Sequence, residues 1–481
     1  MLLDSDSCYR AYQARDSRFD GRFFVGVTST GIYCRPICTA RLPAAENCRY
    51  FPSAAAAEQV GFRPCLLCRP ELAPGTSSTD AKKRLAFAAV RLIGEGCLEE
   101  TGLSGLGDRL GITTRHLRRI FKNEFGVSPA SFAQTQRLLL AKQLLTDSAM
   151  PITDVAFASG FGSLRRFNAL FQGHYRMPPS ALRKAGAKRG QPDATTLVLG
   201  YRPPYDWDGI MRFLAIRTIG GVEDVNAAGY RRTLCLTAKG IAHVGWLGIA
   251  KAPGKNALRI SLSTSLMPVL PAVLARAAQL MDLSCEPLAV AEGLKGLAEG
   301  HEGVRLPGAM DGFEVAVRAI LGQQVTIGAA RTLARRFAAA FGEPLVTPFA
   351  ELTTIFPSPE RVAALSVDAI ATLGVISGRA KAIIALASAV REKSLVLSPE
   401  ADVAATLETL RALPGIGEWT AQYIAMRALG WPDAFPHTDY GVKKALGASN
   451  PKRVLELAEG WRPWRAYAVM HLWRTLHGET T

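Results

Sequence analysis

A chain of 481 residues exceeds one ordinary core and implies about two to four domains. Its 48% apolar and 20% charged content excludes a disordered chain, and no run approaches the roughly 20 uninterrupted apolar residues that cross a bilayer. The excess of 57 Lys and Arg over 41 Asp and Glu gives a net charge of +16, which favours a polyanionic partner, nucleic acid first, because each neutralised phosphate releases counterions. The polar, acidic start Met1–Asp6 has no basic stretch leading into an apolar run, so the expected location is the cytoplasm. A monomer is the expected state.

Composition divides the chain at two linkers. One runs from Pro70, Pro74 and Gly75 through Thr76-Ser77-Ser78-Thr79, the other is 185–193 (AGAKRGQPD). The parts are 1–74, 80–184 and 195–481, the last opening β-rich (195–268) before turning helical (269–481). The fold class is therefore multidomain and mainly α with α+β parts.

In the first part, Cys34-x3-Cys38 and Cys65-x2-Cys68 are two short-spaced pairs. Each spacing lets two sulfurs converge on one ion, and four thiolates satisfy tetrahedral zinc. Clustering of the cysteines toward the N-terminus suits a local metal site better than a disulfide framework. Cys8, Cys48 and Cys97 do not fit the spacing. From the spacing alone, a purely structural zinc module is favoured over a reactive one. The surroundings, Thr30-Gly31-Ile32-Tyr33-Cys34-Arg35-Pro36-Ile37-Cys38 and Gly61-Phe62-Arg63-Pro64-Cys65, resemble the methyl-accepting domain of the Ada family across nearly all of 5–72. The resemblance implies a small α+β zinc domain in which Cys34 takes a methyl group from a DNA phosphotriester. Arg35, Arg41 and Arg63 become candidates for holding phosphates, against the plainer reading of surface charge. Methylation would remove one negative charge from the cluster and raise DNA affinity.

The middle part contains helix, glycine turn and helix twice. Leu103–Gly111 leads into a helix from Thr113 carrying Arg115, Arg118 and Arg119, and Ile152–Gly162 leads into one from Ser163 carrying Arg165 and Arg166. A helix around Gln134–Leu145 joins the units. Together with the ending Gly173-His174-Tyr175-Arg176-Met177-Pro178-Pro179, the pattern resembles the AraC-type DNA-binding domain. Thr113–Phe125 and Ser163–Gln172 are then the expected recognition helices on promoter DNA, and RNA polymerase is the further partner such a regulator implies. A helical bundle with solvated charge is the bland alternative.

The last part opens with alternating segments, such as Leu234-Cys235-Leu236-Thr237 and Leu258–Leu262, that read as strands. Further on, the spacing predicts a helix over Asp402–Arg411, a tight turn Leu413-Pro414-Gly415-Ile416-Gly417 and a helix over Glu418–Leu429. Gly415 and Gly417 permit unusual backbone angles and the close approach of a phosphate to the second helix's N–H groups. Hairpin carbonyls are also candidate ligands for a monovalent cation. Gly430–Val442 follows, containing Asp439. Hairpin, Gly/Pro-rich loop and aspartate resemble the helix-hairpin-helix DNA glycosylases, and those of the AlkA 3-methyladenine type through most of 197–478.

That resemblance implies that Asp439 is the catalytic carboxylate and that Trp419, Tyr423, Trp473 and Phe213 line the pocket of an everted alkylated base. Taken alone, Asp439 reads as a helix N-cap and the aromatics as core. Trp419 stands where lyase relatives carry a lysine, so base removal without strand cleavage is expected. No cysteine follows Cys285, so no iron–sulfur cluster is expected. Gln324 takes the position of the family's apolar duplex wedge. No Pro-Cys-His-Arg motif occurs, so direct O6-methylguanine reversal is not expected. The competing reading is a transcription activator whose C-terminal part only binds DNA.

Overall fold

The computed structural model describes residues 4–74, 81–186 and 194–476. The linker residues Gly75–Thr79 and all of 185–193 except Ala185 and Gly186 lie outside the described residues.

Residues 4–74 build a four-stranded sheet in the order Cys48–Phe51, Phe24–Val27, Ile32–Cys34, Arg63–Pro64. The first three strands pair antiparallel and the last joins parallel. Gly31, at φ +65°, makes the left-handed step that turns the chain into Ile32–Cys34. Both cysteine pairs thereby begin at neighbouring strand ends.

The next region is helical. Thr113 and Ser163 cap helices Thr114–Phe125 and Leu164–Tyr175, their hydroxyls accepting from the N–H groups of His116 and Arg166. Leu117, Phe121 and Phe125 are buried in the first, and Phe167, Phe171 and Tyr175 in the second. The same four-residue spacing gives both helices one apolar stripe and leaves their arginines in solvent. The helix preceding the first turn starts earlier than the sequence suggests. It spans Cys97–Arg109, with a break in helical geometry at Gly102, φ 69°. The connecting helix is Pro129–Asp147.

The C-terminal part begins with a five-stranded antiparallel sheet ordered Ala194–Gly200, Ala257–Ser263, Ile241–Lys251, Gly229–Ala238, Glu223–Asn226. Helix Trp207–Ala215 packs beside it. The helical remainder holds the hairpin: Val403–Ala412, capped by Asp402, and Glu418–Arg427.

The apolar cores do not stop at the linkers. Phe24, Tyr33, Phe51 and Phe62 from the first sheet share one core with Leu92, Leu117, Phe121 and Phe132 of the helical region. Leu144, Val155, Phe167 and Phe171 belong to the core that continues into Leu197, Ile260 and the C-terminal helices. Polar links reinforce both seams. Lys142, 1% exposed, donates to Glu71 at 2.6 Å and to the Cys65 carbonyl at 3.2 Å. Arg91 and Arg109 both reach Glu400, two residues before the cap of the hairpin's first helix. No helix among the described residues is long and apolar enough to cross a membrane.

Candidate active site and zinc cluster

The hairpin turn is held by one glycine that could be nothing else. Gly415 sits at φ +76°, and a Cβ there would lie 3.2 Å from Ala382 Cβ. Gly417 departs from expectation: its backbone is ordinary and extended (φ −91°), and a Cβ added there would meet nothing within 4 Å. The space beside the start of helix Glu418–Arg427 is therefore open at this position. Gln323 fastens the loop between helices Gly312–Leu321 and Ile327–Phe341 to this turn, donating to Gly415 O at 2.8 Å and Thr420 Oγ1 at 2.9 Å. Arg379 donates to the Gln323 carbonyl. The next residue, Gln324, projects into solvent from a left-handed backbone at φ 52°.

Asp439 does cap helix Tyr440–Ala445, its Oδ1 accepting from Val442 N at 3.0 Å. The carboxylate does more than cap. Trp473 Nε1 donates to Oδ1 at 2.9 Å and Trp419 Nε1 to Oδ2 at 2.8 Å, so two indoles from separate helices bracket one half-buried carboxylate. Gly441 makes room: a Cβ there would meet Trp473 Cδ1 at 3.0 Å and Asp439 Oδ1 at 3.1 Å. Asp433, six residues earlier, is 7% exposed and bound by Arg465 at 2.7 Å and Arg462 at 2.5 Å, which makes it a structural anchor.

The four expected pocket aromatics come together. Trp419 and Tyr423, one turn apart on one helix, stack at 5.3 Å and 15°. Tyr423 and Trp473 lie 6.3 Å apart at 43°, and Trp473 and Phe213 6.4 Å apart at 17°. Phe213 is buried and carries the Arg217 guanidinium 3.9 Å and that of Arg427 4.7 Å from its ring centre. Sequence reasoning missed both arginines. Each stands four residues after a pocket aromatic, Phe213 and Tyr423, and that helical spacing was the available signal. Arg427 also donates to Tyr423 Oη at 3.0 Å and to the carbonyls of Pro307 and Gly308 at 2.5 and 3.1 Å. Burial alone would raise the Tyr423 phenol, but Arg427, Arg217 and Arg318 outweigh it and bring the pKa below its ordinary value.

At the other end of the chain, the sulfurs of Cys34, Cys38, Cys65 and Cys68 lie within 4.8 Å of one another. A zinc tetrahedron with bonds of about 2.3 Å has sulfur–sulfur edges of about 3.8 Å, so this all-thiol set fits the ion with small adjustment. Cys34 is 4% exposed, and Cys68 is the most open of the four. Arg35 is more enclosed than Arg41 or Arg63. It is 7% exposed, its guanidinium is committed to the Asp20 carboxylate and donates to Cys68 O at 3.1 Å, and its N–H donates to Cys68 Sγ at 3.3 Å. It braces the sulfur loop. Arg41 is exposed and Arg63 half-buried. Arg115, Arg118, Arg119, Arg165 and Arg166 are all exposed on the two helices that follow the turns.

A protein of Mycobacterium tuberculosis described as a probable bifunctional transcriptional activator/DNA repair enzyme AlkA is 39% identical over 489 residues, covering 98% of this chain and 97% of the relative. The chain belongs to that family. Family models divide the AlkA-type chain into a metal binding domain of Ada (7–71), a helix-turn-helix domain (106–185), an AlkA N-terminal domain (196–311) and an HhH-GPD superfamily base excision DNA repair segment (317–452). DNA-3-methyladenine glycosylase 2 of Escherichia coli is 39% identical over 277 residues, 58% of this chain and 96% of that one. The regulatory protein ada of Salmonella typhimurium matches at 33% over 162 residues, 33% of this chain and 44% of that one. Family membership makes this a multidomain DNA repair and regulatory protein with a zinc-binding module.

Proposed function

We propose that residues 195–481 release alkylated purines of the 3-methyladenine type from duplex DNA by hydrolysis, without cutting the strand, and that 1–74 and 80–184 sense methyl phosphotriesters and regulate transcription. The observation that carries the first reading is the Asp439 carboxylate bracketed by Trp419 and Trp473 at the mouth of an aromatic slot. Heterolysis of the N-glycosidic bond builds positive charge on the sugar, and a fixed anion beside it stabilises that charge. The same carboxylate then positions the attacking water and accepts its proton. An alkylated purine is electron-poor and stacks well on indole and phenol faces. Trp419, an indole donor to Asp439, offers no amine to form a Schiff base, which supports the monofunctional reading. Gln324 is proposed to fill the gap left in the duplex, with Gly417 opening the helix terminus to a phosphate. A monovalent cation on the hairpin carbonyls remains part of this reading, as do action as a monomer and contact with RNA polymerase.

In the zinc module, the ion when bound keeps the four sulfurs as thiolates. Cys34 Sγ is proposed to bond the phosphotriester methyl carbon while the carbon–oxygen bond breaks and the phosphodiester leaves as an anion. Arg41 and Arg63 then face phosphates near the lesion, and the arginines of the two recognition helices face promoter DNA.

The base-release assay tests the larger reading. Incubation with methylated duplex should liberate 3-methyladenine and leave alkali-labile abasic sites in unbroken strands. Failure to liberate any alkylated base would overturn it. Stoichiometric methyl transfer from phosphotriester DNA should label Cys34 in a peptide map, and label on Cys68 instead would overturn that assignment.

A further inference from the structure

The aromatic slot separates opposite charges. At one end Asp439 holds the indole N–H edges of Trp419 and Trp473. At the other, Arg217 lies 3.9 Å from the Phe213 ring centre and 5.8 Å from that of Trp473, while Arg427 lies 4.7 Å from Phe213 and 5.8 Å from Tyr423. Among the described residues neither arginine forms an ion pair with a carboxylate. Arg427 is satisfied by two carbonyls and the Tyr423 hydroxyl, and Arg217 by the carbonyl of Phe213. Nearby Arg318 is different, being paired at 3.0 Å with both Glu223 and Glu314. Burial first, and Arg427 among the surrounding cations, bring Arg217 down to about 10, even though Tyr423 pulls the other way.

Two uncompensated cations behind a slot for cationic bases are a poor device for binding. They suit a different task. An N3- or N7-alkylated purine enters with its positive charge on the base. When the bond to C1′ breaks, the electron pair goes to the base, which becomes neutral, and the sugar becomes the oxocarbenium ion. Water then bonds to C1′ through its oxygen and gives up a proton to the Asp439 carboxylate. The positive charge has moved from the arginine end of the slot to the Asp439 end.

We infer that Arg217 and Arg427 form a repelling end-wall that weakens binding of the cationic base and drives its charge toward the sugar, where Asp439 receives it. This rests on the glycosylase reading and assigns the slot a preference for charge that leaves the base. Binding affinity is given up and rate gained, because an interaction that is unfavourable only before the bond breaks lowers the barrier. With roughly 7 Å between a guanidinium and the base and an effective permittivity of about 20, one arginine changes the rate by roughly tenfold or more.

The test uses the full-length protein and Arg217→Met, which keeps the stem and removes the charge, with Arg217→Lys as the charge-conserving partner. Arg427 is left alone because it also anchors the Pro307 and Gly308 carbonyls. Single-turnover release and duplex affinity are measured on one N7-methylguanine lesion and on one neutral etheno-adenine lesion. Arg217→Met should release methylguanine roughly tenfold more slowly yet bind its duplex more tightly, with affinity for the neutral lesion unchanged and Arg217→Lys close to wild type. Loss of rate with equal or weaker binding of the cationic lesion, the signature of mere structural damage, overturns the inference. So does an Arg217→Met enzyme that matches wild type in both quantities, although wild-type release would still support the glycosylase reading. No release by wild type from either lesion overturns both.

Discussion

Replacing Asp439 with asparagine preserves size and shape while deleting the charge. Asparagine caps helices as well as aspartate, so the bond from Val442 N survives. If the amide oxygen keeps Val442 and Trp473, its nitrogen must face Trp419 Nε1 at 2.8 Å, donor against donor. That mismatch costs about 1–3 kcal/mol of local stability and should lower the melting temperature by only a few degrees. The catalytic loss is larger. A carboxylate about 4 Å from the developing sugar cation, at an effective permittivity of about 20, contributes about 4 kcal/mol, which corresponds to roughly a thousandfold in rate. The assay is single-turnover release of 3-methyladenine at saturating protein, with affinity for a duplex containing an abasic-site analogue measured alongside. The variant should bind the analogue duplex and be slower by about three orders of magnitude. A rate within tenfold of wild type would refute the electrostatic role.

Trp473→Phe keeps a ring in the slot but withdraws one donor from the carboxylate; release should slow by roughly 10- to 100-fold, the range of a hydrogen bond to a charged group, and an unchanged rate would show that the indole N–H does not position Asp439. Asp433→Ala should cost about 3–5 kcal/mol in urea unfolding, because Arg465 is left buried without its partner, while release per folded molecule stays near wild type. His471 sets a pH dependence. Burial first, then Arg474 and His301, depress it from 6.5 to about 4. Between these values the unfolded chain binds a proton that the folded chain refuses, so stability falls as pH drops from 6.5 toward 4, by about 3 kcal/mol in all. Urea midpoints at pH 7 and pH 5 should converge in His471→Leu relative to wild type, and an equal pH 5 loss in both would contradict this.

Much of the site was legible because its chemistry lies in local sequence. The two cysteine pairs, the glycine turn at Gly415 and the caps at Thr113 and Ser163 each declare themselves within a dozen residues. Trp419 and Tyr423 share a helix face, so their stacking follows from spacing. What stayed hidden depends on contacts between distant segments. Nothing near Arg35 announces that Asp20 will claim its guanidinium, and nothing near Phe213 announces Arg427, which arrives from more than 200 positions away. The two competing readings of Asp439 were legible in the sequence; only the positions of the two indoles show that the carboxylate which caps the helix also accepts from Trp419 and Trp473.

Since Phe24 and Phe51 share a core with Phe121 and Phe132, and Phe167 one with Ile260, neither linker is a seam at which the molecule comes apart cleanly. A protease that nicked either connection would leave fragments still clasped together, and expressing a fragment alone would bare a greasy face. Such a chain can exchange whole halves with its relatives only if the mating surfaces travel along. The zinc module, the helix-turn-helix region and the C-terminal part are thus tied to one another by shared packing.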